Sequence, residues 1–275
     1  MRISKKTIDE IFNTAIIEEV ISEFVLLKKT GANYKGLSPF NDEKTPSFVV
    51  SPSKEIWKDF SSGKGGNVVS FLMEHEQYTY PEALLYLAKK YNITILTGIV
   101  ERANKSLFNS AIMIGPEGYI GHCRKQFLPN FGPFEEKTFF GEGNEIIVFK
   151  TKFGNVGVQI CYDLFFPEVS MKLAQKGADV IINLAASPIT SRPLFHRVLP
   201  ARAIETTCFY AYVNNIGTQG NLVFAGESCI FDPRGKLINE IEKFKEDTIV
   251  CEIPIENIQK YRDARPVLRD SMNKD

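Results

Sequence analysis

Residues 155–168, NVGVQICYDLFFPE, are the stretch that most constrains the fold. An apolar run typical of a buried strand ends at Cys161, and a turn follows before Pro167 can begin a helix. Comparable strand-like runs recur after residue 93, with helical patterns at 168–176 and 194–206 between some of them. Strands alternating with helices in this way predict a layered α/β sheet protein. The predicted strands are 93–100, 110–114, 146–150, 156–160, 180–184, 208–214, 228–231 and 249–253.

The first 95 residues have a different pattern. Apolar residues at helical spacing over 7–23 predict a helix, and short aromatic-rich runs after it predict strands. Asn67 and Thr79 stand where they can cap two further helices. The predicted strands are 34–37, 47–50 and 56–60, and the two later helices are 68–76 and 81–91.

No flexible linker separates the two patterns. Residues 87–95 read as the end of a helix that runs straight into a strand, whereas independent domains usually meet through a looser segment. We nevertheless expect two domains because the patterning changes so sharply. The first is a small α+β domain over 1–95, and the second is an α/β domain over 96–275.

Bulk composition excludes several classes of protein. Lysine plus arginine and aspartate plus glutamate both number 33, so the zero net charge does not indicate a nucleic-acid or membrane partner. The N-terminus lacks the pattern of a signal peptide, and no apolar run is long enough to span a bilayer, so we expect a cytoplasmic protein without membrane contact. The five cysteines are scattered and none precedes Cys123, which indicates reduced thiols and no structural zinc site.

Residues 31–66, GANYKGLSPFNDEKTPSFVVSPSKEIWKDFSSGKGG, resemble the zinc-binding domain of bacterial DNA primase. The resemblance covers residues 3–93, and the family's four metal ligands align with Ser38, Asn41, Asp59 and Ser62. Two serines and an amide offer neutral oxygens with little affinity for zinc, and one carboxylate cannot hold the ion alone. We expect no bound metal here. The four small polar residues should instead hydrogen-bond across the site, and aromatic contacts should replace the metal's contribution to stability.

The primase resemblance also implies contact with single-stranded template DNA. Between residues 28 and 64 seven lysines stand against four acidic residues. Lys35, Lys44, Trp57 and Lys58 are therefore candidate nucleic-acid-binding residues, combining phosphate contacts with base stacking. A solvated loop face with core aromatics explains the same residues equally well. The resemblance does not extend to the polymerase part of a primase.

Two further segments, 118–140 and 201–232, join residues 155–168 in resembling nitrilase-type carbon–nitrogen hydrolases. The resemblance implies an α-β-β-α sandwich that hydrolyses a small amide or nitrile through a thioester, without a cofactor. It assigns Cys161 as the nucleophile, Lys125 as the residue that stabilises the oxyanion, and Glu136 as a supporting carboxylate. A buried core cysteine is the alternative interpretation of Cys161. Phe165 departs from the family, which often has arginine there.

The opening part of a nitrilase, which carries the general-base glutamate, has no counterpart before residue 98. Glu82 is a weak substitute because it belongs to the primase-like helix. We therefore expect a truncated sandwich with impaired activity, since losing a general base slows a reaction by about 10²- to 10⁴-fold. A homodimer through 168–176 and the C-terminal tail is the oligomer that the resemblance implies. Two alternatives stay open: a DNA-binding primase-type module carrying a passenger hydrolase fragment, and a non-functional chimera joined at the locally similar seam.

Overall fold

In a computed structural model, the structure describes residues 16–272 and divides them into two compact units. The N-terminal unit comprises the residues up to Ile95 together with Ile114–Tyr119. The C-terminal unit comprises Leu96–Met113 and the residues from Ile120 onward. Within the described residues no helix is both long and apolar enough to cross a membrane.

From residue 16 onward, the N-terminal unit is a five-stranded antiparallel sheet with three α-helices. Its strands are hydrogen-bonded in the order of the chain. Alternating exposure along the sheet places Phe48 and Trp57 on one face, where they pack with Phe71 from the helix that follows the sheet. The elements are α1 (Ile17–Ser22), β1 (Lys28–Thr30), β2 (Asn33–Gly36), β3 (Phe48–Ser51), β4 (Ile56–Asp59), β5 (Gly65–Gly66), α2 (Val68–His75) and α3 (Tyr80–Tyr91).

Local side chains define where the second and third helices begin. The Asn67 side-chain oxygen accepts a hydrogen bond from the Ser70 backbone N–H at 3.0 Å, which confirms the predicted cap of α2. At the start of α3, the Glu82 carboxylate accepts hydrogen bonds from both the backbone N–H and the hydroxyl of Thr79. Glu82 is thus a capping residue, as its place in the primase-like helix suggests.

The C-terminal unit contains three sheets and five α-helices among the described residues. Its largest sheet has six strands in the order β16-β15-β12-β11-β10-β9, of which β10, β11 and β12 are parallel. The elements that lie wholly or mostly in this unit are β6 (Ile95–Ala103), β7 (Ser106–Gly115), β8 (Gly118–Arg124), α4 (Glu136–Phe139), β9 (Val148–Thr151), β10 (Gly154–Ile160), α5 (Pro167–Gln175), β11 (Val180–Ala185), α6 (Arg192–Thr206), β12 (Phe209–Asn214), β13 (Ile216–Gln219), β14 (Leu222–Ala225), β15 (Cys229–Phe231), β16 (Leu237–Glu240), α7 (Ile258–Ala264) and α8 (Val267–Met272).

Helices and a second sheet cover opposite faces of the six-stranded sheet. On one face, Leu173 of α5 and Leu199 of α6 pack against Tyr210 of β12. On the other, Met113 of β7 packs against Val158 of β10. This helix–sheet–sheet layering follows from near-continuous apolar strands, because a strand buried on both faces carries few polar residues. The carboxyl ends of the parallel strands form the edge at which Cys161 lies.

Most predicted elements are present, but several details differ. The prediction of a strand over 249–253 is wrong: this segment forms no ladder, and Ile253 packs its side chain against Val180 and Phe209 instead. The antiparallel hairpin of β13 and β14 was not predicted, although Gly220, with a φ of 56°, marks its turn. Of the helix predicted over 7–23, residues 7–15 lie outside the described part of the chain.

Candidate active site

Cys161 lies at the carboxyl end of β10, where the chain turns sharply. Its φ is 50°, a left-handed conformation that a residue with a Cβ adopts only when its surroundings require it. A short 3₁₀ turn over Cys161–Phe165 follows, and α5 begins at Pro167. The Asn183 side-chain amide donates to the carbonyl oxygen of Cys161 at 3.3 Å. The turn therefore presents the thiol at the edge of the sheet rather than burying it in the middle of a strand.

Lys125 follows β8 and is almost completely buried, with 1% of its surface exposed. Its ammonium nitrogen lies 2.6 and 2.7 Å from the two carboxylate oxygens of Glu136, the first residue of α4. Backbone hydrogen bonds to Asn109 and from Gly143 fix the main chain of Lys125. A buried ammonium requires a partner of opposite charge, and Glu136 supplies it.

Asp163 connects the segment that carries Lys125 with the turn that carries Cys161. Its buried carboxylate accepts hydrogen bonds from the backbone N–H groups of Phe127 at 2.9 Å, Ile160 at 3.1 Å and Gln126 at 3.2 Å. Burial raises the pKa of Asp163 to about 6, against these stabilising hydrogen bonds. Asp163 was missed in the sequence, although an acidic residue in an otherwise apolar turn was a usable signal.

The Cys161 thiol is mostly neutral at pH 7. Burial raises the pKa of Cys161, whereas the positive charge of Lys125 and a hydrogen bond from the backbone N–H of Ala186 lower it in part. The same two groups can stabilise negative charge that develops on an oxygen near the sulfur. The site therefore holds a weakly acidic nucleophile beside two candidate oxyanion stabilisers.

Cys161, Lys125 and Glu136 line one cavity of about 790 Å³ in the C-terminal unit. The three residues named by the hydrolase resemblance are thus brought together in space, although 36 positions separate the lysine from the cysteine. Aromatic and aliphatic side chains supply most of the remaining wall. Among the described lining residues, Glu136 is the single carboxylate.

In the N-terminal unit, the four positions that align with zinc ligands form a hydrogen-bonded cluster, as their residue types predict. The buried carboxylate of Asp59 accepts hydrogen bonds from the hydroxyls of Ser38, at 2.9 Å, and Ser62. The backbone N–H of Asn41 donates to the Ser38 hydroxyl at 3.1 Å, and its side-chain amide donates to the hydroxyl of Ser61, which in turn donates to Asp59. Burial opposes ionisation, but these donors hold the pKa of Asp59 at about 2. Among residues 16–272, no three His, Cys, Asp or Glu side chains are grouped to hold a metal ion.

The candidate nucleic-acid residues lie in two different environments. Lys35, Lys44 and Lys58 are exposed. Trp57 is only 1% exposed and donates its ring N–H to the carbonyl oxygen of Asn67 at 2.9 Å. The prediction that Trp57 stacks on a base is therefore wrong for this structure, because its ring faces are covered by core aromatics.

The backbone register shows a lysine row that the sequence did not reveal. Lys28 pairs with Lys35, Lys35 with Val49, and Val49 with Lys58, across the first four strands. Directly paired residues point to the same face of a sheet. Three lysines consequently lie on the exposed face, opposite the face that buries Trp57. Phe60, two residues after Lys58 in the chain, is 69% exposed.

Comparisons with known proteins separate the same two parts. The carbon-nitrogen hydrolase family matches residues 71–263, and the CHC2 zinc finger family matches residues 3–103. The two matches overlap over 71–103, where the sequence fits both patterns. The chain is 46% identical over 105 residues to a DNA primase of Listeria monocytogenes, which covers 38% of this chain but only 17% of the primase. The resemblance to the primase zinc-binding domain is thereby confirmed.

The hydrolase part is similar to proteins that are described as nitrilases or carbon-nitrogen hydrolases. A nitrilase from Pyrococcus abyssi is 34% identical over 190 residues, covering 68% of this chain and 70% of the nitrilase. The crystal structure of a carbon-nitrogen hydrolase from Helicobacter pylori G27 superimposes with a TM-score of 0.66 at 22% identity, covering 74% of each chain. The predicted nitrilase-like fold is thus confirmed. Cys161 directly follows strand β10 within the matched region, and the chain belongs to the carbon-nitrogen hydrolase family.

Proposed function

We propose that the C-terminal unit hydrolyses the C–N bond of small amides or nitriles through Cys161, at a rate well below that of an intact hydrolase. The observation that carries this proposal is that Cys161 and the buried Lys125 line the same cavity. A lysine with 1% exposure is rare in a protein core and is retained where its charge has a role. A structural cysteine would not require such a neighbour.

The proposed reaction of an amide has two steps. The Cys161 sulfur attacks the carbonyl carbon, the negative charge collects on the carbonyl oxygen near Lys125, and the C–N bond breaks. The thiol proton leaves with the nitrogen as ammonia, and the acyl group remains on sulfur as a thioester. Water then attacks the thioester carbon, which releases a carboxylic acid and restores the thiol.

Two features limit the rate of both steps. Burial raises the pKa of Cys161, so a proton acceptor must act during the attack. Glu136, the single carboxylate among the described lining residues, has both oxygens bound to Lys125. Protonating Glu136 would remove the partner of a buried ammonium, which disfavours its use as the base. A reaction without a positioned base is slower by about 10²- to 10⁴-fold.

Ammonia release from a panel of simple carboxamides tests the proposal. We expect slow release by the wild-type protein and none by Cys161→Ala. Cys251→Ala is the matched control, because Cys251 is a partly exposed thiol outside the cavity. Equal ammonia release by the wild type and Cys161→Ala would disprove the assignment of the nucleophile. Release at rates ordinary for intact nitrilases would disprove the impairment.

The N-terminal unit supports a second candidate function, contact with single-stranded DNA. The observation that favours it is the row of Lys28, Lys35 and Lys58 across one exposed sheet face. Lysines on an exposed sheet face, with the exposed ring of Phe60 two residues after Lys58, have the chemistry of a surface for single strands, which combines phosphate contacts with stacking. Under this alternative, the N-terminal unit is the functional part of the chain, and the hydrolase unit has no function of its own.

Fluorescence anisotropy with a labelled oligothymidylate tests this second function. We expect the double variant Lys35→Ala, Lys58→Ala to bind more weakly. The slope of log affinity against log salt should become less negative by about 1.4, since each phosphate contact on a single strand contributes about −0.7. Lys89→Ala is the control, because Lys89 is exposed on α3, away from the row. If neither unit is active in its assay, the non-functional chimera is the remaining account.

A further inference from the structure

The cavity that holds Cys161 has one continuous aromatic wall. Neighbouring ring centroids are 5.8 Å apart for Phe134 and Phe131, 5.4 Å for Phe131 and Tyr162, 5.8 Å for Tyr162 and Phe165, and 5.0 Å for Phe165 and Phe195. All five side chains line the cavity. Tilted and edge-to-face pairs at these separations are favourable, so the rings form a stable surface rather than a loose set of side chains.

Charge is nearly absent from the rest of the lining. Among the described residues that line the cavity, the ones that carry a full charge are Lys125 and Glu136, and these neutralise each other. The polar remainder consists of neutral hydroxyl and amide groups, including Asn109 and Asn215. The lining therefore offers hydrogen bonds to an uncharged amide but no separate cation to pair with a carboxylate on the substrate.

The position of Phe165 links the wall to the nucleophile. Phe165 ends the 3₁₀ turn that begins at Cys161, and both side chains pack against the same apolar core. An acyl group bound to the Cys161 sulfur would extend along this wall. Its substituents would contact aromatic carbon, where an unpaired charge is strongly disfavoured.

We propose that this site selects uncharged carboxamides or nitriles whose acyl group is aromatic or bulky and apolar, and that it rejects acyl groups that bear a carboxylate. The inference rests on the proposed function, because it assigns a substrate class to the same site. A cavity of about 790 Å³ accommodates a phenyl-bearing acyl chain, since small-molecule sites span about 300–1,000 Å³. The aromatic wall is the specificity-determining surface.

Binding to the Cys161→Ala protein tests the inference without depending on catalysis. We would titrate this variant with 3-phenylpropionamide and with succinamate, which are similar in length but differ in charge, and follow binding by NMR. We expect the phenyl amide to bind at least about tenfold more tightly, in the range that apolar pockets discriminate. Equal or tighter binding of succinamate would overturn the inference.

A positive charge added to the cavity lining provides a second test. We expect Leu194→Arg and Phe165→Arg to lose most of the preference and to gain affinity for succinamate by about tenfold. Leu194 lines the cavity and is 54% exposed, so its variant tests the inference even if Phe165→Arg fails to fold. Phe153→Arg is the control, because Phe153 is 59% exposed and lies outside the cavity. A gain equal to that of the control would overturn the inference.

Ammonia release distinguishes this inference from the proposed function. If the phenyl amide binds Cys161→Ala selectively while the wild-type protein releases no ammonia from it, the substrate class stands and the hydrolase function fails. If the wild type releases ammonia through Cys161 equally well from both amides, the hydrolase function stands and the substrate class fails.

Discussion

Both carboxylate oxygens of Glu136 contact the ammonium group of Lys125, at 2.6 and 2.7 Å, and Lys125 has almost no exposure to solvent. Taking a charge out of water is strongly unfavourable without such a partner. Glu136 therefore supports a positive charge beside the Cys161 thiol. The charge of Lys125 lowers the pKa of the Cys161 thiol, and Glu136 stabilises that charge. The negative charge of Glu136 itself raises the pKa of Cys161.

Glu136→Gln should therefore impair both stability and chemistry. We expect the free energy of unfolding to fall by about 3 kcal/mol, because Lys125 stays buried without its counter-charge. Acylation of Cys161 should slow by roughly tenfold to hundredfold, since Lys125 loses the contact that positions it. Urea unfolding followed by circular dichroism and the rate of Cys161 acylation provide the measurements. Glu142→Gln is the control because the Glu142–Lys137 pair is largely exposed, and an equal effect in both variants would contradict this role.

The reactivity of Cys161 should increase with pH well beyond neutrality. Because its pKa is raised, the thiolate fraction at pH 7 is small and grows about tenfold for each pH unit until the pKa is reached. We expect the iodoacetamide alkylation rate, followed by peptide mass spectrometry, to follow that slope from pH 6 to 8. Lys125→Met should slow alkylation further, and Lys137→Met, which removes an exposed lysine, should not. A rate that is already constant near pH 6 would show a thiolate instead.

Asp59 should make the N-terminal unit sensitive to acid. Its pKa is depressed to about 2 in the folded chain, so its contribution of about 2 kcal/mol is present above pH 4 and is lost as pH falls from about 4 to 2. Trp57, the sole tryptophan of the chain, reports on unfolding of this unit by fluorescence. Asp59→Asn should lower the urea midpoint at pH 5 and flatten the acid dependence. Asp42→Asn, an exposed neighbour, should change neither.

Restoring metal ligands should restore zinc binding. The hydroxyls of Ser38 and Ser62 already reach the Asp59 carboxylate, so thiolates at these positions would converge on one point. We expect a variant with Ser38→Cys, Asn41→His, Asp59→Cys and Ser62→Cys to bind one zinc ion per chain, measured by native mass spectrometry. The wild type should bind none, and a chelator should leave its melting temperature unchanged. A folded quadruple variant that binds no zinc would contradict the alignment of these positions.

Site residues that belong to local sequence motifs could be predicted, whereas those that depend on contacts between distant segments could not. Motif order was enough to name Cys161, Lys125 and Glu136, because a strand, a loop and a turn each carry a local signature. Asp163 was missed since its function depends on backbone N–H groups from segments more than 30 residues away. An acidic residue in an apolar turn indicates a buried polar partner, but it does not identify these distant donors.

Burial of the aromatic residues was the other limit. Trp57 and Phe60 both lie in the predicted strand 56–60, and composition alone gives no reason to expect either one to be the exposed residue. The strand register determines which of the two is buried. Trp57 pairs with Val50 and shares its buried face, whereas Phe60, an odd number of residues later, points to the opposite face and is exposed. The row of Lys28, Lys35 and Lys58 was hidden for the same reason, since it exists only once the strands are paired.

Formation of a thioester on Cys161 is the most direct test of the account. The protein would be mixed with the p-nitrophenyl ester of 3-phenylpropionic acid, quenched in acid and mapped by peptide mass spectrometry. We expect the acyl group on Cys161, with no corresponding adduct in Cys161→Ala and little on Cys251. Acylation spread equally over Cys251 and surface lysines, with Cys161 unmodified, would contradict the assignment of Cys161 as the nucleophile.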